Sequence, residues 1–76
     1  MYCKEMFNGK LKRFGRPVKY HPWCKDFDWG WVIETKDVCT EKDQQKDFVI
    51  NMNIPRFNSK KDAENWLIQN GYVKQS

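Results

Sequence analysis

The sequence predicts an α+β domain: a three- to four-stranded antiparallel sheet with one C-terminal helix packed on one face. Three observations support this fold class. Asn8-Gly9 is a strong signal for a two-residue hairpin turn. Two later segments alternate apolar and polar residues with a period of two, and the C-terminal segment has apolar residues at helical spacing. A chain of 76 residues has room for one domain, so we assign residues 1–76 to a single unit.

The first element is a hairpin centred on Asn8-Gly9. A two-residue turn at that point makes one apolar pair and one pair of opposite charges across the strands, which favours this register. The predicted partners are Met6 with Leu11, Glu5 with Lys12, and Cys3 with Phe14.

A Trp-rich hairpin follows. Residues 27–34 alternate, and their apolar side chains share one face: Phe27, Trp29, Trp31 and Ile33. Residues 47–54 alternate in the same way and end before Pro55, which cannot donate a hydrogen bond to a ladder. The polar segment 36–46 is predicted to be the loop of this antiparallel pair. Residues 16–22 contain two prolines and are predicted to form an irregular surface connection.

The last element is a helix from about residue 60 to residue 70. Ser59 is a typical N-cap residue, and Asp62 is acidic near the positive end of the helix dipole. Gly71 suits the left-handed C′ position, and Tyr72 would then pack back on Leu67 as in a Schellman motif.

Composition argues against a disordered tail, a membrane-spanning protein and a secreted disulfide-rich protein. Hydrophobic residues make up 39% and aromatic residues 16% of the chain, which is too much apolar content for a disordered tail. No apolar run approaches the roughly 20 residues of a membrane span, and the N-terminal segment lacks the apolar core of a secretory signal. The odd count of three cysteines suits free thiols better than a secreted disulfide framework. We therefore expect a cytoplasmic protein that does not act on a membrane.

Catalytic and metal chemistry find little support in the sequence. It contains none of the common phosphate-loop, serine-hydrolase or zinc-protease motifs, so we expect a non-enzyme without cofactors. His21 and Cys24 form one close ligand pair, and Cys3 and Cys39 would complete a four-ligand zinc set. Structural zinc sites commonly use two close pairs, so unrelated thiols and a surface histidine are the favoured interpretation.

Positive charge is concentrated near the start of a chain whose net charge is +4. Residues 1–20 hold six basic side chains and one acidic side chain. Basic side chains attract phosphate backbones, and aromatic rings stack on bases. The candidate nucleic-acid-binding residues are therefore Lys10, Lys12, Arg13, Arg16, Lys19, Trp29 and Trp31. The alternative is that the tryptophans are core residues under the C-terminal helix.

Three short segments resemble the first three strands of cold-shock domains, in the same order: residues 9–14, 29–33 and 46–50. The resemblance implies that four rings stack on single-stranded nucleic acid: Phe14, Trp29, Trp31 and Phe48. The gap between Phe14 and Trp29 is longer than the tight turn of that family. The chain also ends in a predicted helix where the family continues with two more strands.

The sequence thus leaves two main hypotheses. The first is a nucleic-acid-binding module that uses the basic segment and the aromatic strand. The second is a small protein inhibitor or adaptor, of the kind encoded by phages and mobile elements, that occludes a site on a host protein. Its target would be an acidic or nucleic-acid-binding protein surface. An accessory subunit without either activity is a third possibility.

Overall fold

The computed structural model describes residues 1–20, 30–39 and 47–75. In chain order its elements are β1 (Tyr2–Met6), β2 (Leu11–Lys19), β3 (Trp31–Cys39), β4 (Val49–Ile50), α1 (Lys60–Gln69) and β5 (Val73–Lys74). The strands pair antiparallel in a sheet of order β4-β3-β2-β1-β5. The predicted fold class is confirmed, with five strands in the described residues instead of three or four.

The N-terminal hairpin has the predicted register in every pair. Met6 lies opposite Leu11, and the pairing continues along both strands to Tyr2 and Gly15. Asn8 and Gly9 both have positive φ, at 56° and 83°, and the Lys10 amide donates to the Phe7 carbonyl over 3.1 Å. Positive φ at both central residues and this hydrogen bond match a type I′ turn. Phe7 also has a positive φ of 54°, so the paired strands end at Met6 and Leu11.

Residues 16–19 belong to β2, so the predicted irregular connection is wrong for this part of the segment. Pro17 lies opposite Ile33 of β3. The Ile33 carbonyl accepts a hydrogen bond from the Asn51 amide, so the backbone of Ile33 is directed toward β4. The backbone nitrogen of its partner Pro17 is therefore directed away from β3. The missing N–H of Pro17 removes no hydrogen bond from the β2–β3 ladder. The rest of that segment, from His21, lies outside the described residues.

The boundaries of the second hairpin also differ from those predicted. β3 begins at Trp31 and extends to Cys39, so residues 36–39 are strand instead of loop. β4 comprises only Val49 and Ile50, because the chain turns at Asn51. The Asn51 side chain accepts from the Asn53 amide, and its carbonyl accepts from the Ile54 amide. Asparagine commonly starts such turns, which compete with strand pairing.

Helix α1 follows the prediction closely. The Asp62 amide donates to Ser59 Oγ over 3.1 Å, which confirms the N-cap. Gly71, with φ of 86°, donates to Ile68, while Tyr72 donates to Leu67. This pair of bonds is the Schellman motif. The motif returns the chain toward the sheet, where Val73 and Lys74 add the short strand β5 beside β1.

The core lies between α1 and one face of the sheet. It contains two residues of the strands, two of the helix and the residue after its C-terminal turn: Tyr2, Ile33, Ala63, Leu67 and Tyr72. Gly15 allows this close packing, because a Cβ there would lie 3.0 Å from Leu67 Cδ2. Ile68 of α1 lies outside this core and is exposed.

Candidate functional site

The strand register divides the side chains between two faces, since directly opposite residues in an antiparallel sheet point the same way. We call the face under α1 the proximal face; it includes Tyr2, Arg13, Gly15, Lys19, Trp31, Ile33 and Asp37. We call the opposite side the distal face. It includes Cys3, Glu5, Lys12, Phe14, Arg16, Val18, Val32, Glu34, Lys36 and Ile50.

The basic residues predicted for the site do not form one patch. Lys12 and Arg16 lie on the distal face, whereas Arg13 and Lys19 lie on the proximal face. Lys10 is exposed in the turn between β1 and β2. The separation follows from the strand itself, because neighbouring positions along a strand alternate between faces.

Arg13 is held in an ion pair with Asp37 on the proximal face. Its guanidinium donates to both carboxylate oxygens of Asp37 on β3, over 2.7 and 3.0 Å. The hydrogen bond to Asp37 raises the pKa of Arg13, and Tyr72 lies close enough to contribute. A bidentate, partly buried pair of this kind is among the stronger ionic contacts in proteins. We therefore withdraw Arg13 from the candidate interface.

Trp31 belongs to the core side of the molecule, so its expected place on an open stacking platform is wrong. It is partly buried and packs against the core cluster with Phe57 and Trp66. Its backbone exchanges two hydrogen bonds of 2.8 Å with Phe57. The apolar alternation that suggested a stacking strand is, at this position, the pattern of a core-facing strand. Trp29 lies outside the described residues.

The distal face does combine cations with aromatic rings. The Arg16 guanidinium carbon lies 4.1 Å from the centroid of the Phe48 ring, and Lys36 Nζ lies 5.9 Å from the same centroid. Phe14 is directly opposite Lys36, and Lys12 is two residues away on the same strand and face. We call this set the distal cluster: Lys12, Phe14, Arg16, Lys36 and Phe48. Both rings are partly exposed.

Two carboxylates accompany the cluster. Arg16 donates to Glu34 over 2.9 and 3.1 Å, and Lys12 Nζ lies 4.0 Å from Glu5. The Lys12 and Glu5 side chains are 43% and 64% exposed, and those of Arg16 and Glu34 are 45% and 21% exposed. An exposed pair such as Lys12–Glu5 contributes only about 0–1 kcal/mol, so a phosphate competes with it at small cost. Glu34 is less exposed, so displacing it from Arg16 costs more.

An apolar groove of about 660 Å³ lies beside the distal cluster. Val32, with only 6% of its surface exposed, lines the groove, while Met52 on the adjoining turn is 82% exposed. The lining residues are Tyr20, Val32, Ile50, Asn51, Met52, Ile54, Pro55 and Arg56. The volume is in the range of sites that hold a small molecule.

Sequence reasoning identified Lys12 and Arg16, and the cold-shock resemblance implied Phe14 and Phe48. It missed Lys36, which was assigned to a loop, and the whole groove. The signal for part of the cluster is present in the sequence, because positions 12, 14 and 16 share a face in any regular strand. The groove is formed by the turn after β4, and no periodic pattern marks it.

The thiols give no support to a shared metal site. Cys3 is buried opposite Phe14 on the distal face, whereas Cys39 lies opposite Leu11 on the proximal face. Burial raises the pKa of the Cys3 thiol. In the described residues no three His, Cys, Asp or Glu side chains converge as metal ligands. The other two residues of the considered set, His21 and Cys24, lie outside those residues.

One exposed aromatic residue stands apart from both faces. Phe7 begins the β1–β2 turn with 73% of its surface exposed and φ of 54°. A bulky side chain in the left-handed region is unusual and costs of the order of 1–3 kcal/mol. Backbone strain at such a position is a reason to look for an intermolecular contact.

Among the described residues, no helix has the length and apolar character needed to cross a membrane. Comparison of the chain with protein-family models, with curated proteins and with solved structures gave no match.

Proposed function

We propose that this chain is a non-enzymatic nucleic-acid-binding module whose interface is the distal cluster. The observation that carries the proposal is the stacking of Arg16 on Phe48, with Lys36 beside the same ring. The proposal keeps Lys12 and Arg16 from the sequence prediction and replaces the tryptophans with Phe14 and Phe48.

The cluster contains both kinds of group that nucleic-acid binding needs. A ring that stacks on a base contributes about 1–3 kcal/mol without requiring a particular base. Lys12, Arg16 and Lys36 lie around the two rings and are positioned to meet phosphates, which supply most of the sequence-independent affinity. Contact between Arg16 and Phe48 also holds the guanidinium plane in place before binding.

The first test is fluorescence anisotropy with labelled oligonucleotides of about 20 nucleotides, single-stranded and duplex, over a range of salt concentrations. We expect binding at low salt that weakens as salt rises. A Lys12→Gln/Lys36→Gln variant should bind more weakly. For single strands, the slope of its log affinity plotted against log salt concentration should become shallower by about 1.4. Each of the two lost phosphate contacts contributes about 0.7 to that slope.

The matched control is Lys60→Gln/Lys61→Gln. It removes the same charge from exposed positions in the first turn of α1. We expect this control to keep the salt slope of the unmodified protein. No binding at low salt, or an equal loss in both variants, would exclude the distal cluster as a nucleic-acid interface.

A protein inhibitor or adaptor is the second candidate, and the exposed, strained Phe7 favours it. An aromatic side chain at a hairpin tip is a suitable anchor for an apolar pocket on another protein. The two candidates separate in one comparison. If oligonucleotides do not bind, and Phe7→Ser abolishes capture of one stoichiometric protein that the unmodified chain retains, the second candidate replaces the first.

A further inference from the structure

We infer that the groove beside the distal cluster receives one unstacked base of a bound single strand, and that the module therefore selects single-stranded over duplex nucleic acid. The inference rests on the proposed function, since it concerns the path of a strand already held by the cluster. It assigns to the groove a role that the distal cluster alone does not supply.

The register places the Val32 and Ile50 side of the groove next to the cluster on the distal face, whereas Ile54 of its lining packs against the core. Arg16 is opposite Glu34, and Glu34 is opposite Ile50, so these three residues form a row across β2, β3 and β4. Ile50 lines the groove, and Val32 lies two residues from Glu34 on β3. Neighbouring strands are about 4.8 Å apart, so Ile50 lies roughly 10 Å from Arg16. A strand held by the distal cluster thus meets the groove within its next nucleotides.

The groove also has the chemistry of a base site. Its wall is apolar at Val32 and Ile50, and it includes the ring of Tyr20 and the flexible thioether of Met52. Arg56 adds a cation to the lining. A base offers two apolar faces, and its attached phosphates are anionic, so it matches a groove of this composition beside the basic cluster better than an uncharged apolar ligand does.

Duplex nucleic acid cannot use this groove at equal cost. Its bases are paired and stacked inside the helix, and each one must be extruded before it can enter, at a cost of a few kcal/mol. The cluster contacts phosphates of both single-stranded and duplex nucleic acid, whereas the groove adds binding energy only for a single strand, whose bases are unpaired. The groove therefore determines the ratio of the two affinities.

The test uses a single-stranded oligothymidylate of about 20 nucleotides and a duplex of the same length, titrated into three variants. Tyr20→Leu and Met52→Ala change the groove. Val49→Ala is the matched control, because Val49 is exposed on the same strand as Ile50 but points to the proximal face. We expect Tyr20→Leu to weaken single-strand binding about fivefold or more and to leave duplex binding unchanged.

Met52→Ala should also lower the ratio of single-strand affinity to duplex affinity. Because Met52 is exposed, this substitution should not destabilise the fold. Val49→Ala should leave the ratio as it is. If the unmodified protein binds neither form, the proposed function fails. If it binds nucleic acid without preferring single strands, or if both groove variants keep the preference, the cluster remains and the groove inference is overturned. Loss of a protein partner alone in the groove variants would assign the groove to a protein segment.

Discussion

At the scale of single residues, Gly30 shows how closely the chain passes the start of β3. Its φ is 73°, and a Cβ at this position would lie 2.4 Å from the Phe57 carbonyl oxygen. That oxygen accepts a hydrogen bond from the Trp31 amide over 2.8 Å. A side chain at position 30 would therefore disturb the bridge that joins β3 to the segment before α1.

Gly30→Ala should destabilise the protein more than Gly9→Ala. Both glycines have positive φ, so both substitutions carry the left-handed penalty of about 1–2 kcal/mol. At Gly9 the nearest atom to an added Cβ is 3.9 Å away, so nothing further is expected there. The clash at Gly30 should add at least about 1–3 kcal/mol. Urea unfolding of the two variants measures the difference, and equal costs would contradict the described approach of Phe57.

The sequence could have predicted which face of the sheet each basic residue occupies. It did not, because the prolines in residues 16–22 argued against a strand there. A strand through residues 11–19 separates Lys12 and Arg16 from Arg13 and Lys19 by simple alternation. Pro17 argued against that strand because an interior proline removes a ladder bond. Only the register with β3 shows that the backbone nitrogen of Pro17 is directed away from β3, so that no hydrogen bond of the β2–β3 ladder is lost.

At the scale of elements, the contact between β1 and α1 depends on a polar pair beside the core. The Tyr2 hydroxyl donates to Glu64 over 2.6 Å. This hydrogen bond is the largest cause of a raised pKa at Tyr2, followed by burial. The folded protein therefore holds the phenolic proton to a higher pH than the unfolded chain does.

This difference predicts a loss of stability at alkaline pH. The contribution of Tyr2 is fully present below its unfolded pKa of about 10, and it is lost as pH rises through the folded value. Tyr2→Phe should lower the free energy of unfolding by about 1–2 kcal/mol at pH 8 and should show a smaller further decline above pH 10. Urea unfolding from pH 8 to pH 11 checks both. Parallel curves for the two proteins would show that Tyr2 does not carry this dependence.

The elements that sequence predicted best are those specified by neighbouring residues. The turn at Asn8-Gly9 and both caps of α1 depend on local chemistry, and all three are as expected. β5 is two residues long and exists because the Schellman turn delivers Val73 to the edge of β1. The early end of β4 depends on the Asn51 turn, which apolar alternation does not report. Short edge strands have too few residues for a periodic signal.

At the scale of the whole molecule, the two faces of the sheet differ in what they contact. The proximal face, α1 and Tyr72 form the core, and Trp31 and Arg13 belong to that side. The distal face carries Lys12, Arg16 and Lys36, the partly exposed rings of Phe14 and Phe48, and the groove from which function is proposed. A domain of this size has few large side chains to spare, and we expect those that bind nucleic acid to come from the face that the helix does not cover.

The most direct test of this division is a ¹⁵N-labelled protein titrated with unlabelled single-stranded oligothymidylate and followed by amide chemical shifts. The account predicts that the largest changes occur at residues 12–16, 34–36 and 48–52, while amides of α1 change little. Changes centred on α1, or a spectrum that does not respond at low salt, would contradict the assignment of the distal face as the binding surface.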